Sequence, residues 1–177
     1  MSIVGGLGDE AGRPLQPDRD WPFFDADFFV PPQVLAQVQA LTPHAAALLW
    51  TRHVSAHPAE THPMQLRAGH RLQPRVSGPD WLAEFDAVPS EHPAQSGRVA
   101  AFLVSHFQAA GAAPVLFMAS RARAYALTPA ALAACRPCLL AISDEGPLLY
   151  QPATGKFVWC RPHGAQAGGE EGQELAS

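Results

Sequence analysis

Apolar positions are grouped most densely between Pro114 and Cys160, and their spacing there predicts strands. Val115-Leu116-Phe117-Met118-Ala119 is apolar on both alternating faces, the pattern of a strand covered on both sides. Leu139-Leu140-Ala141-Ile142 has the same character. Between these runs, Thr128-Pro129 offers a hydroxyl for a helix N-cap and a proline at the first helical position, where a missing N–H costs nothing. The pattern predicts a short helix from Ala130 to about Arg136, stopped before Pro137. A connection of that length permits a right-handed crossover, so the two strands are expected to run parallel. Asp144-Glu145-Gly146-Pro147 and Pro152-Ala153-Thr154-Gly155 are turn sequences, with glycine for positive φ and proline for fixed φ. The closing strand alternates, with Phe157 and Trp159 on one face and Lys156, Val158 and Cys160 on the other. The expected fold is α+β: a mixed sheet of about four strands, one parallel crossover plus an antiparallel meander, backed by helices.

Upstream, the spacing changes to that of helices. Pro31-Pro32 opens one with Val34, Leu35, Val38 and Leu41 on a single face. Thr42-Pro43 opens a second, with Ala45, Ala46, Leu49, Trp50, His53 and Val54 inward, and the two are expected to pack as a hairpin on the sheet. Trp21 to Val30 is dense in aromatics and reads as a leading strand or extended arm on the core. Residues 56–77 lose periodicity and read as a proline-punctuated loop with one short strand near Met64–Leu66. Ser77-Gly78-Pro79-Asp80 starts a short helix carrying Trp81, Leu82 and Phe85. A longer helix from about Pro93 carries Val99, Phe102, Leu103, His106 and Phe107 and ends at Gly111, with His106 as a satisfied core histidine. Domain organisation follows: a disordered arm over residues 1–20, one α+β domain over 21–163, and a disordered, low-complexity tail over 164–177 are expected.

Composition narrows the classes. At 177 residues the chain can bury one substantial core. Lys156 is its only lysine among 12 basic residues, the arginine bias expected of a GC-rich bacterial genome. A net charge of −4 gives no basic footprint for nucleic acid. The opening residues lack a basic, apolar leader and no run reaches transmembrane length, so a membrane location is not expected. Three cysteines make a poor disulfide framework, which points to a reducing cytoplasm. The sequence carries no signal for the oligomeric state.

Three groups of residues could carry chemistry. Cys135-Arg-Pro-Cys138 with Cys160-Arg-Pro-His163 has the ligand types of a closed zinc site. With Cys138 opening the first meander strand and Cys160 closing the third, the pairs would stand about 16 Å apart, too far for one ion. Buried thiols, with no metal or other cofactor, are therefore expected. His53, His57, His62 and His70 crowd into residues 53–70 beside Glu60, but without a His-Glu-x-x-His pattern. The third group is geometric. If the two strands run parallel, their carboxyl ends share an edge that gathers Ser120, Arg121, Arg123, Asp144, Glu145, Arg161 and His163, and the helix N-terminus at Thr128 could favour an anion there.

The segments VPPQVLAQVQALTPHAAALLWTRHVS, PVLFMASRARAYALTP and DEGPLLYQPATGKFVWCRPHG resemble small bacterial proteins grouped as domains of unknown function. The last segment is also similar to the closing strands of the SUKH-type immunity superfamily. That resemblance implies a non-catalytic domain that binds another protein, in its narrowest form an immunity protein. With the charged edge as the contact, the expected function is cytoplasmic protein binding, more in keeping with a binder than an enzyme. The alternative is a metal-dependent or hydrolytic enzyme using the histidine-rich loop 53–70 or the edge 120–123/144–145.

Overall fold

The computed structural model describes residues 11–67, 70–71, 93–108, 113–143, 148–161 and 164–168, without side chains for 93–100, 159–161 and 164–168. One antiparallel sheet of seven strands runs through it, in the order β1-β2-β4-β3-β5-β6-β7. The strands are β1 (Gly12–Arg13), β2 (Val38–Leu41), β3 (Val115–Ser120), β4 (Arg123–Leu127), β5 (Leu148–Gln151), β6 (Lys156–Arg161) and β7 (Gly164–Gly168). The helices are α1 (Pro32–Leu35), α2 (Pro43–His53), α3 (Pro93–Gln108) and α4 (Ala131–Ile142), with 3-10 turns at Trp21–Phe23, Ala26–Phe28 and Pro63–Gln65.

β3 is the central strand, and Val115 to Ala119 are all buried, as its two-sided apolar pattern requires. Its faces open onto two cores. Val115, Phe117 and Ala119 join Tyr125, Leu127, Leu149 and Val158 beneath α3 and α4, which contribute Leu103, Phe107, Leu132, Cys135 and Leu139. Leu116 and Met118 join Ala124, Ala126, Leu148, Tyr150 and Phe157 beneath α2, whose Ala45, Ala46, Leu49 and Trp50 face inward. The α+β class holds, as helices covering both faces of an antiparallel sheet.

The parallel crossover is absent. Leu139 to Ile142, expected as a strand, is the last turn of α4, and Pro137 lies inside that helix. The helix is held by burial at Leu132, Cys135, Cys138 and Leu139, with Ile142 partly buried: a 3.6-residue stripe facing the core. Pro137 and Ala133 are both exposed, so the carbonyl that proline leaves unpaired faces water. The helix starts one residue later than expected, with Ala130 at its N-cap and no side-chain cap; Thr128 Oγ1 accepts the Ala131 amide at 3.3 Å in the turn ahead of it. The segment expected to link two parallel strands instead turns back at Arg121-Ala122 and forms β4, antiparallel to β3.

Five local expectations change with it. The helix read over Pro31–Leu41 stops at Leu35, and Val38–Leu41 becomes β2, so α2 lies on its face without a hairpin partner. Trp21–Phe28 forms two 3-10 turns rather than a strand, and Pro63–Gln65 a third, capped by His62. Residues 11–20, read as part of an arm, supply β1 and the buried Asp20. Gly164–Gly168, read as tail, pairs with β6. Two expectations stand: Thr42 caps α2 through its hydroxyl at 3.3 Å, and Gly155 closes the 152–155 turn at φ 69°. The helix expected near Trp81 lies outside the described residues. Among the described residues no helix is long and apolar enough to cross a membrane.

Candidate functional site

The pairings Met118↔Leu148 and Leu148↔Trp159 bring the start of β5 and the finish of β6 to the end of the sheet where β3 turns into β4. Leu41, at the finish of β2, reaches the same end through Ala40↔Tyr125, and Gly12 pairs with Leu41 beside it. The hairpin end thus gathers Ser120, Arg121, Arg123 and the backbone of Arg161, by an antiparallel route instead of a parallel one. Asp144, Glu145 and His163 lie outside the described residues. The Thr128 terminus of α4 does not belong here, because β4 carries the chain to the opposite end before α4 begins.

The arginines at this end do different work. Arg121 is a tie. Its amide donates to the Thr61 carbonyl at 2.7 Å, and its guanidinium reaches the His57 carbonyl at 3.5 Å and Thr51 Oγ1 at 3.3 Å, pinning the chain after α2. Arg123 is held in place. Nε donates to Tyr125 Oη at 2.8 Å and Nη2 to the Arg19 carbonyl at 2.7 Å, leaving the Nη1 donors unused. Ser120 Oγ accepts the Ala122 amide at 3.3 Å and shapes the turn.

Beneath Arg123 lies a polar network that has no signature in the sequence. Asp20, fully buried, accepts from Arg13 Nη1 at 2.7 Å and Nη2 at 2.9 Å, from the Gln16 amide at 2.7 Å and from Tyr125 Oη at 2.7 Å. Burial alone would raise the Asp20 carboxyl, but the Arg13 fork, the Gln16 amide and the Tyr125 hydroxyl outweigh it and hold it below the ordinary carboxylate range. Tyr125 is pushed up to about 12, chiefly by burial, and so remains a neutral donor to Asp20. Above this network opens a cavity of about 290 Å³ lined by Arg13, Arg19, Leu41, Ala122, Arg123 and Ala124. Arg123 was legible in the sequence as an edge residue. Its convergence with Arg13 and Arg19, more than a hundred residues earlier, was not.

A second feature of this region is its exposed aromatics. Phe23 packs against Tyr125 with ring centres 5.3 Å apart, anchoring the 21–29 segment. Flanking that anchor, Trp21 is 48% and Phe24 47% exposed, and Phe29, further along the chain toward α1, is 75% exposed.

The other candidate groups are engaged in structural roles. Glu60 is buried, accepts the Ser55 hydroxyl at 2.5 Å, and offers its carbonyl to Trp50 Nε1 at 2.7 Å. The Ser55 bond comes first among the causes that hold its carboxyl below the usual range. His57 and His62 each use Nδ1 to accept a local amide, from Ala59 and Met64. His53 lies against Tyr150, ring centres 4.8 Å apart. Among the described residues, no three His, Cys, Asp or Glu side chains are grouped as a metal ion would need. Cys135 and Cys138 lie on the buried stripe of α4, so the strand position assumed for Cys138 is corrected. Burial pushes their thiols up to about 12 and about 11, and Cys138 Sγ donates to the Pro22 carbonyl at 3.1 Å. Both are buried free thiols. His106 sits between Phe102 and Phe107, and burial first, then Lys156, lowers it to about 4, so the ring is neutral. Its Nε2 has no partner, so the satisfied core histidine is only half realised.

No protein-family model matches this chain, and neither does any curated protein or solved structure.

Proposed function

We propose that this chain is a non-enzymatic protein-binding domain that docks its partner on the hairpin end of the sheet. The observation that carries the reading is what that region exposes: Trp21, Phe24 and Phe29 in the segment that follows Arg19, whose carbonyl is bonded to Arg123. Aromatic residues and arginine are the types enriched at the energetic centres of protein interfaces, because they bring large contact area and several donors at small entropic cost. The contact set is Ser120, Arg121, Arg123, Asp144, Glu145, Arg161 and His163, with the aromatic segment beside it. Arg121 shapes this surface through its bonds to the 51–61 segment, and Arg123 offers free donors to the partner. The buried acids Asp20 and Glu60 are committed to internal hydrogen bonds, which supports binding over hydrolysis. The two buried free thiols support a reducing, cytoplasmic setting. A toxin-neutralising partner is the narrowest form of this reading and rests on the SUKH resemblance.

Parallel affinity captures from the native host test it. A partner retained by the wild-type chain should be lost by Trp21→Ala and by Phe24→Ala, both exposed in the aromatic segment. It should be kept by Leu48→Ala, a change at an exposed apolar side chain on α2. Equal recovery by all four baits refutes the proposed surface.

A further inference from the structure

The cavity at the hairpin end has a charge balance of its own. Three arginines line it, and Asp20, the carboxylate beneath them among the described residues, is already saturated by Arg13, Gln16 and Tyr125. Among the described residues neither Arg19 nor Arg123 has a carboxylate within ion-pair distance. Arg13 adds a buried Nε–H with no hydrogen-bond partner. The chain as a whole carries −4, so this concentration of positive charge is local and does not follow from composition.

The donors are also prearranged. Tyr125 and the Arg19 carbonyl fix the plane of Arg123, so its remaining N–H groups need no ordering when a ligand arrives. Planar guanidinium forks match the oxygens of phosphate and carboxylate. Two uncompensated cations favour a dianion over a monoanion. Leu41, Ala122 and Ala124 form the apolar part of a cavity sized for a small organic group.

We infer that this cavity is a binding site for a phosphate monoester, held as the dianion by Arg19 and Arg123 with its organic group against Leu41, Ala122 and Ala124. A free metabolite and a phosphorylated side chain share that chemistry. The site needs no protein partner, so it stands or falls separately from the docking surface.

Titration calorimetry on the full chain at low ionic strength tests the inference, with phenyl phosphate, benzoate and a phosphoserine tripeptide as probes. Phenyl phosphate should bind saturably at one site, and benzoate at least about tenfold more weakly. Arg19→Gln removes an exposed side chain and leaves the fold intact, and it should weaken phenyl phosphate at least about tenfold. Arg123→Gln should do the same, while Arg52→Gln on α2 should leave the affinity unchanged. Tighter binding of the tripeptide than of phenyl phosphate assigns the natural group to a phosphorylated side chain, and the reverse order assigns it to a free ester. Absence of saturable phenyl phosphate binding up to about 10 mM overturns the inference. So does equal affinity for benzoate, or an unchanged affinity in Arg19→Gln.

Discussion

Replacing Asp20 by alanine should be among the most damaging single changes in this fold, and its cost can be worked out from its contacts. The carboxylate accepts four hydrogen bonds while fully buried. Its removal leaves a guanidinium, an amide and a phenol without their acceptor. Breaking a buried ion pair from one side costs about 3–5 kcal/mol. The Arg13 side chain is 14% exposed, so water can recover part of its solvation, which places the estimate near the lower bound, about 3 kcal/mol. For a chain of this length that lowers Tm by about 6–12 °C, or the urea midpoint by about 1.5 M. Tyr125→Phe alone removes one donor to the same carboxylate and should cost about 1 kcal/mol. Because the two groups share a bond, the double variant should be less destabilised than the sum, with a coupling of about 1 kcal/mol. The pH dependence gives an independent reading. The folded Asp20 titrates below its ordinary 3.8, so as pH falls through that range the unfolded state binds more protons than the folded state. Its contribution is therefore complete above the unfolded value and disappears as pH drops through the folded one. Urea titrations at a series of acidic pH values should show a shallower acid loss in Asp20→Ala than in the wild type. A cost under about 0.5 kcal/mol, or identical acid slopes, would refute the view that this network holds the hairpin end together.

Three further outcomes are expected. Gln151 is fully buried, donates to the Phe107 and Ala113 carbonyls at 3.1 and 3.0 Å, and accepts Thr154 Oγ1 at 2.9 Å, so Gln151→Leu should cost about 2–3 kcal/mol in denaturant titrations. His106 is lowered to about 4 from 6.5, so its contribution is whole above about pH 6.5 and is lost as pH falls toward 4; His106→Phe should remove at most about 3 kcal/mol of that slope, measured as Tm against pH. Arg121→Ala frees the 51–61 segment, and hydrogen exchange at the Thr61 and Glu60 amides should accelerate while amides of β3 stay protected, with uniform exchange in both refuting the tie.

What the sequence disclosed depended on how local its signals were. The two-sided apolar run of β3 and the hydroxyl-proline start at Thr42 are contained within a few residues, and both were legible. The β3–β4 hairpin was hidden because its turn is Arg121-Ala122, with none of the glycine, asparagine or proline that usually marks one. Alanines at 124 and 126 also weaken the strand pattern. In α4 the proline at 137 outweighed a legible stripe of Leu132, Cys135, Leu139 and Ile142, although an exposed proline can be borne by a helix whose other face is buried. Of the expected edge, Ser120, Arg121, Arg123 and the finish of β6 lie at one end of the sheet, while Asp144, Glu145 and His163 lie outside the described residues. Converting Leu139–Ile142 to helix leaves the directions of β5 and β6 relative to β3 as the meander had them, so β6 still finishes at the end that holds Ser120 and Arg123. Asp20 and Arg13 could not have been foreseen, since their partners lie across the sheet in β4.

That separation also bears on how the protein is made. Asp20 leaves the ribosome 105 residues before Tyr125, and at about 5–20 residues per second the wait is about 5–20 s. Throughout that interval β2 has no inner neighbour and the arginine pocket does not exist. A chain that stops short of Arg123 therefore cannot form the pocket, and its appearance marks synthesis past β4.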